Sequence, residues 1–144
     1  MSKAIVKLFL RLALSTAFLS AVADRFGFWG KEISVWGNWE NFVSYTQIIN
    51  PWIPAAAINM VAMLATALEI IFAIALLIGL KTELVAKLSG VLLIIFGLSM
   101  TFSTGIKGAF DYSVFTAAAA AFALGTMKQK YLEVDGLLFK TVKV

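Results

Sequence analysis

Apolar residues fall in four long blocks along the chain, separated by polar segments. The blocks cover residues 4–23, 56–80, 84–104 and 112–127, and the last block is the shortest. A helix of about 18 or more apolar residues, rising about 1.5 Å per residue, is long enough to cross roughly 30 Å of hydrocarbon. The pattern therefore predicts an all-α membrane protein in which residues 1–144 form one domain, an antiparallel bundle of four transmembrane helices.

The first polar segment, residues 24–55, is a long loop that contains all four tryptophans. Within it Trp39, Phe42 and Ile49 recur at helical spacing, with Asn38 as a plausible N-cap and Pro51 as a stop. We therefore predict a short amphipathic helix on the outer membrane surface, where indole rings suit the headgroup layer.

The last polar segment, residues 128–144, is a tail that follows the fourth block. Asp135 and Gly136 stand between two runs of alternating character, which is the signal of a type I′ β-hairpin. A lone hairpin is only marginally stable in water, so we expect this one to need the membrane surface or a second chain.

The basic residues are spread along the ends of the predicted spans, so the net charge of +4 does not indicate a nucleic-acid partner. Nine of them fall on one side and three, Arg25, Lys31 and Lys107, fall on the other. By the positive-inside rule, we expect both termini and the loop near residue 81 to be cytoplasmic. The first block also resembles a signal peptide, but Arg11 interrupts its apolar region, so we expect the span to be retained.

Composition limits the chemistry that the chain can perform. Hydrophobic residues make up 61% of the sequence and charged residues 14%, which is outside the range of a soluble globule. The chain has no Cys and no His, and therefore no thiol nucleophile, imidazole base, iron–sulfur ligand or ordinary haem ligand. We expect no metal and no haem, so any redox chemistry needs a diffusible cofactor or a partner protein.

Glu69 is a carboxylic acid in the middle of the second apolar block, about 16 Å from its inner edge. An acid at that depth must be paired, hydrogen-bonded or protonated. Small residues at helical spacing, including Ala62 and Ala73, place Glu69 on a face that packs against other helices. Because acids inside the membrane mark functional sites, Glu69 is the candidate catalytic residue. A protonated Glu69 that only bridges helices is the alternative.

Arg11 is the obvious counter-charge for Glu69, but side-chain direction weakens this pairing. Side chains lean toward the N-terminus of their own helix, and the first two spans run in opposite directions. Arg11 and Glu69 therefore point apart, and we expect Arg11 to extend to the cytoplasmic headgroups more readily than to Glu69.

Glu69 leans toward a layer of hydroxyl groups that all four spans contribute to the outer half of the bundle. This layer predicts a polar pocket with Glu69 at its floor and loop tryptophans as its lid. The predicted ligand-binding residues are Arg11, Ser15, Thr66, Ser99, Thr116, Trp39 and Trp52. For each hydroxyl, a bond to its own helix carbonyl is the alternative.

Three further charged residues stand at the outer ends of the spans. Asp111 precedes the fourth block and is expected to be its N-cap. Arg25 and Lys107 are expected to be solvated, with the guidance of an anionic group to the pocket mouth as the alternative.

Two long stretches, "LRLALSTAFLSAVADRFG" and "LEIIFAIALLIGLKTELVAKLSGVLLIIFGLSM", resemble the DoxX family of small bacterial four-span membrane proteins. The resemblance covers nearly the whole chain and rests on Arg11, Glu69 and the turn from Gly79 to Thr82. It implies a bacterial cytoplasmic-membrane protein engaged in quinone-linked redox work. The family is also associated with thiosulfate oxidation, but this chain has no cysteine to handle a sulfur substrate.

Two functions from different classes fit these residues. In the first, the chain is a quinone-site subunit in which Glu69 exchanges a proton with the ring. In the second, it is a non-enzymatic scaffold or assembly partner for another protein, and its polar groups only fix helix packing. Carriage of a small lipophile through the same pocket is a third possibility. The expected partners are the bilayer, a quinone or other lipophile, and a protein partner or a second copy of the chain.

Overall fold

Seven helices account for most of residues 2–138, which are the residues that this computed structural model describes. They are α1 (Lys3–Arg25), α2 (Trp39–Ile49), α3 (Ala55–Ile78), α4 (Thr82–Thr104), α5 (Ile106–Asp111), α6 (Val114–Gly125) and α7 (Val134–Leu138). No β-strand occurs in this part of the chain, which confirms the prediction of an all-helical fold.

Three of the helices in the described range, α1, α3 and α4, are long and apolar enough to cross a membrane. The fourth predicted span, residues 112–127, contains α6, which has 12 residues and is therefore about 18 Å long. A sharp break separates α6 from α5, because Ser113 adopts a left-handed conformation with φ +54°. The structure thus has three membrane-length helices and one shorter apolar helix packed among them.

Asp111 belongs to α5 and is not the N-cap of the helix that follows. Its carboxylate accepts a hydrogen bond from Lys107 Nζ, 2.6 Å away, one turn earlier on the same short helix. The expectation that it caps the fourth block is therefore wrong, because α6 begins three residues later, after the break.

Small residues bring α4 and α6 into close contact. A Cβ atom added at Gly90 would lie 2.8 Å from the Phe122 ring, and one added at Gly97 would lie 2.7 Å from the Phe115 ring. Since separations this short are not tolerated between carbon atoms, the two glycines leave the space that the aromatic rings of α6 fill. The small residues of α4 therefore serve packing within the chain.

The bundle has two ends, which we name by the chain segments they contain. At the amino end α1 begins, and the turn between α3 and α4 lies beside residues 129–138. Gly79 ends α3 in the left-handed conformation with φ +74°, and an added Cβ would lie 2.7 Å from Arg11 Nη2. Glycine is therefore required here both by the backbone conformation and by the approach of Arg11.

Arg11 is 1% exposed and is held by backbone carbonyl groups at the amino end. Its guanidinium group donates to Leu76 O, Leu77 O, Tyr131 O and Leu132 O at 2.9–3.0 Å. The first two acceptors are at the C-terminus of α3, where a cation is favoured by the helix dipole. The expected extension of Arg11 to the headgroups is wrong, because these carbonyl groups draw the side chain into the protein. The structure places it far from Glu69.

The tail does not form the predicted β-hairpin where the structure describes it. Residues 130–133 form no strand, Val134–Leu138 is a short helix, and residues 139–144 of the predicted hairpin lie outside the described residues. Asp135 instead caps α4, accepting hydrogen bonds from Lys81 N at 2.7 Å and Thr82 N at 3.0 Å. The local Asp-Gly signal for a turn is overridden here by a long-range contact, because the Asp135 carboxylate meets two helix amides that have no acceptor within α4.

The Asp135 cap gives a direct test of this arrangement. We expect Asp135→Ala to lower the free energy of unfolding by about 1 kcal/mol, because two amides at the start of α4 lose their acceptor. The measurement is chemical unfolding of the purified protein in detergent micelles. Asp111→Ala is the matched control and should cause no measurable change, because its ion pair with Lys107 is exposed. Equal stability of the two variants would contradict the capping role.

Candidate functional site: a cavity beside a buried ion pair

The loop end of the bundle, opposite the amino end, is closed by α2 and by residues 26–38. The α2 helix begins where the sequence predicts, because the Asn38 side chain accepts a hydrogen bond from Asn41 N at 2.8 Å. It ends at Ile49, just before Pro51. Its buried residues, Phe42, Thr46 and Ile49, pack against the interior of the bundle. The amphipathic helix is thus confirmed, and it forms a wall of the site.

Asp24 folds the preceding loop back onto the end of α1. Its carboxylate accepts hydrogen bonds from Val35 N at 3.0 Å, Trp36 N at 2.9 Å and the Ser34 hydroxyl group. Asp24 is only 5% exposed, so these bonds are formed within the protein. The consequence is that Trp36, which is 12 residues away in sequence, is held beside α1.

Arg25 is the ion-pair partner of Glu69. Both residues are 2% exposed. Arg25 Nη1 contacts Glu69 Oε2 and also donates to Thr66 Oγ1 at 2.8 Å. The guanidinium carbon lies 3.9 Å from the centre of the Phe42 ring, which adds a cation–π contact. Arg25 was expected to be solvated, and this expectation is wrong.

Side-chain direction explains why Arg25 and not Arg11 pairs with Glu69. Arg25 ends α1, so a side chain that leans toward the helix N-terminus leans into the bundle. Glu69 on the antiparallel α3 leans toward the loop end, and the two side chains point at each other. The lean of side chains toward the helix N-terminus, which separates Arg11 from Glu69, therefore also identifies Arg25 as the partner of Glu69. The sequence therefore contains the signal for this pairing, which the expectation of a solvated Arg25 does not use.

A cavity of about 300 Å³ lies beside this ion pair. Its walls come from α1, α2, α3, α4 and the start of α6, and most of its lining is apolar. The polar lining residues are Arg25, Trp36, Tyr45, Thr46, Asn50, Glu69, Ser99 and Tyr112. Among residues 2–138, no group of three or more acidic side chains is placed to hold a metal ion.

Two hydrogen-bonded groups and a half-buried phenol form part of the polar lining. Ser99 Oγ donates to Asn50 Oδ1 at 2.9 Å, and Asn50 Nδ2 donates to Thr46 O at 3.0 Å. Burial, followed by repulsion from the neighbouring Tyr112, raises the pKa of Tyr45 above its ordinary value. The Tyr45 hydroxyl group therefore keeps its proton at neutral pH and remains a hydrogen-bond donor.

The cavity reaches the side surface of the bundle. Its rim includes Ile95, which is 53% exposed, and Tyr112, which is 59% exposed. Ala17 on α1 also lines the cavity and is exposed. The cavity therefore adjoins exposed side chains on the flank of the bundle.

The structure brings together only part of the predicted site. Glu69 and Ser99 line the cavity, and Thr66 lies behind them, buried against Arg25. Ser15 is fully buried but does not line the cavity, and Thr116 is exposed on the outside of the bundle.

The predicted tryptophan lid also differs from the observed arrangement. Trp39 Nε1 donates to Asn59 Oδ1 at 3.0 Å and Trp52 is 56% exposed, and neither residue lines the cavity. Trp36 occupies that place, with its ring 5.7 Å from the Tyr45 ring. Nothing in the spacing of the tryptophans distinguishes Trp36, because the Asp24 contacts that position it depend on the folded loop.

The Arg25–Glu69 ion pair can be tested by removing one charge and then both. We expect Arg25→Leu to lower the free energy of unfolding by about 3–5 kcal/mol, because it leaves the buried Glu69 without its cation. Arg25→Leu combined with Glu69→Leu should recover most of this loss. Both are measured by chemical unfolding in micelles, with Lys107→Leu as the control for an exposed pair. A double variant less stable than Arg25→Leu would contradict the pairing.

Three comparisons with known proteins identify no relative of the chain. No protein-family model, curated protein or solved structure matches the chain significantly. The functional argument therefore rests on the cavity and on the residues around it.

Proposed function

We propose that the chain is a DoxX-like multi-pass protein of the bacterial cytoplasmic membrane, with both termini in the cytoplasm, whose cavity binds a quinone for a redox system. The observation that carries this proposal is a mostly apolar cavity of about 300 Å³ with the buried Glu69 carboxyl group in its lining. Small-molecule sites have volumes of roughly 300–1,000 Å³, apolar walls and a few well-placed polar groups.

The position of the cavity suits a ligand that is dissolved in the membrane. Its rim lies on the side of the bundle, where Ile95 faces outward from α4. A lipophile can enter there without crossing water, and its apolar chain can remain among the lipids. The aromatic rings of Phe18, Phe42 and Phe96 in the lining favour a flat ring system by stacking.

Glu69 supplies the proton chemistry in this proposal. Reduction of a quinone to a quinol adds two electrons and two protons, so the site needs a group that delivers protons to the ring oxygens. In the resting site Glu69 is the carboxylate partner of Arg25, so in this proposal it takes up a proton from outside the cavity and passes it to the ring oxygen, which restores the ion pair. The chain has no Cys or His to carry electrons, so the proposal places the source of electrons in a partner protein.

The proposal is tested with decylubiquinone and the purified protein in micelles. We expect the wild type to bind this quinone, and Glu69→Gln to slow chemical reduction of the bound quinone by about 100-fold, because the internal proton donor is lost. Binding is followed by equilibrium dialysis and reduction by the absorbance of the quinone.

Glu40→Gln is the matched control, because Glu40 is an exposed acid on α2 at the same end of the bundle. It should leave both binding and reduction unchanged. Failure of the wild type to bind the quinone would overturn the proposal. Equal rates of reduction in wild type and Glu69→Gln would remove Glu69 from the chemistry.

A further inference from the structure

The loop between α1 and α2 exposes a cluster of large apolar side chains. Five of them, in residues 26–35, are exposed: Phe26, Phe28, Trp29, Ile33 and Val35. Phe28 is 79% exposed and Ile33 is 68% exposed, so most of their surface is free of contact with the described chain. Surfaces that face water rarely carry so concentrated an apolar patch, and such a patch marks contact with a protein or a membrane.

The loop is a closed unit with a fixed base. A Cβ atom added at Gly27 would lie 3.0 Å from Gly37 O, so the two ends of the loop meet. At this base the Asp24 carboxylate accepts hydrogen bonds from the amides of Val35 and Trp36. Compact surface loops whose ends meet have a defined conformation. The exposure of the apolar side chains therefore belongs to a folded loop and not to an open chain.

Two hydrogen bonds fold the start of the loop back along the side of α1. Phe28 N donates to Ala23 O at 3.0 Å, and Trp29 Nε1 donates to Ser20 O at 3.1 Å. Ser20 precedes the last residue of α1, Arg25, by five positions, which is about 7 Å along the helix axis. The indole ring of Trp29 therefore lies beside α1, below the end of the helix.

Continuity with the outer surface of α1 indicates what covers the loop. α1 is long and apolar enough to cross a membrane. Thr16 and Ala17, one turn before Ser20, are exposed on it. Trp29 is bonded to this same part of the helix, so its ring shares the surroundings of the helix surface. For a membrane-spanning helix those surroundings are lipids.

The charge of the loop and the chemistry of its side chains also favour lipid. Lys31 and Glu32 are the charged residues of the segment 26–37, and their charges cancel. The loop therefore offers no net charge to a charged protein surface, whereas the burial of apolar side chains in lipid requires none. Phenylalanine and isoleucine suit acyl chains, and an indole ring suits the boundary between acyl chains and headgroups.

We infer that residues 26–35 form a membrane anchor that inserts its apolar side chains into the bilayer beside α1, at the boundary between acyl chains and headgroups. The partner is the phospholipid bilayer, bound by the burial of apolar side chains and not by charge. The short loop between two helices is then a third kind of membrane contact, in addition to the spans and the α2 helix.

The anchor bears on the cavity, because the loop ends at one of its walls. Trp36 follows the anchor directly and lines the cavity. Ala17, which is exposed one turn from Ser20, lines the cavity on α1. Insertion of the loop therefore places this side of the cavity at the lipid boundary. The anchoring itself does not depend on which ligand the cavity binds.

The absence of cysteine from the chain makes the loop accessible to site-directed spin labelling. Single variants Phe28→Cys and Ile33→Cys are labelled with a nitroxide and reconstituted into phosphatidylcholine vesicles. Power-saturation EPR measures collisions of each label with oxygen, which concentrates in lipid, and with a nickel chelate, which stays in water. Met63→Cys, on the exposed apolar face of α3, is the lipid control, and Glu40→Cys, at an exposed acid on α2, is the water control.

We expect the labels at residues 28 and 33 to behave like the lipid control. Their ratio of oxygen to nickel collisions should be several-fold higher than that of the label at residue 40. A ratio equal to that of the water control would overturn the inference. Low collision rates with both reagents would place a protein on the loop and would also overturn it. Dipolar coupling between labels at residue 33 that disappears on dilution with unlabelled protein would assign the loop to a second copy of the chain, with the same consequence.

A second measurement keeps the apolar side chains of Phe28 and Ile33 in place. Tryptophan fluorescence of wild type and Trp29→Phe is compared in vesicles of phosphatidylcholine with and without bromine on the acyl chains. Bromine quenches indole rings that touch lipid. The emission that Trp29→Phe removes should be emission that brominated lipid quenches in wild type. If the removed emission is the part that brominated lipid leaves unquenched, Trp29 does not touch lipid and the inference is overturned.

Discussion

A carboxyl group and a guanidinium group that are both buried in an apolar helix bundle have to satisfy one another, and the contact between Arg25 and Glu69 does so. It joins the last residue of α1 to the middle of α3. Thr66 shares the same guanidinium group, and Phe42 of α2 covers it. This contact therefore connects α1, α2 and α3 around the cavity.

The two ends of the bundle use buried charge in different ways. At the amino end Arg11 donates to four backbone carbonyl groups, and Lys7 Nζ lies 2.8 Å from Glu133 Oε1 in the same region. These bonds attach the tail to the turn between α3 and α4 and serve the fold. At the loop end Arg25 is paired with Glu69, and both residues line the cavity. This difference makes the loop end the place to look for a ligand.

The sequence predicts those features that depend on local pattern. The long apolar helices, the amphipathic α2 helix and the glycine that ends α3 all follow from periodicity, capping and chain reversal. Burial of Glu69 follows from its position among apolar residues, and a cavity beside it follows from its lean toward the loop end. The features that sequence reasoning misses depend on contacts between distant residues. Arg25 meets α3 across the bundle, and Asp135 caps a helix that starts 53 residues earlier.

The loop between α1 and α2 is the clearest case of this limit. The tryptophans of the loop are equally plausible as interface anchors, and composition gives no reason to prefer Trp36. Only the hydrogen bonds from Val35 and Trp36 to the Asp24 carboxylate bring that ring to the cavity. A carboxylate in the last turn of a long apolar helix, three residues before a glycine, is therefore a signal worth testing in sequences of this kind.

Photolabelling with an azido derivative of decylubiquinone tests the central claim most directly, because it reports where the ligand lies. The account predicts that light attaches the label to peptides from residues 36–50 and 93–100, which contribute the aromatic and polar walls of the cavity. Excess unlabelled decylubiquinone should prevent this attachment. The account would be contradicted if the label spread over the exposed face of α3, at Met60, Met63 and Leu64, and if unlabelled quinone gave no protection.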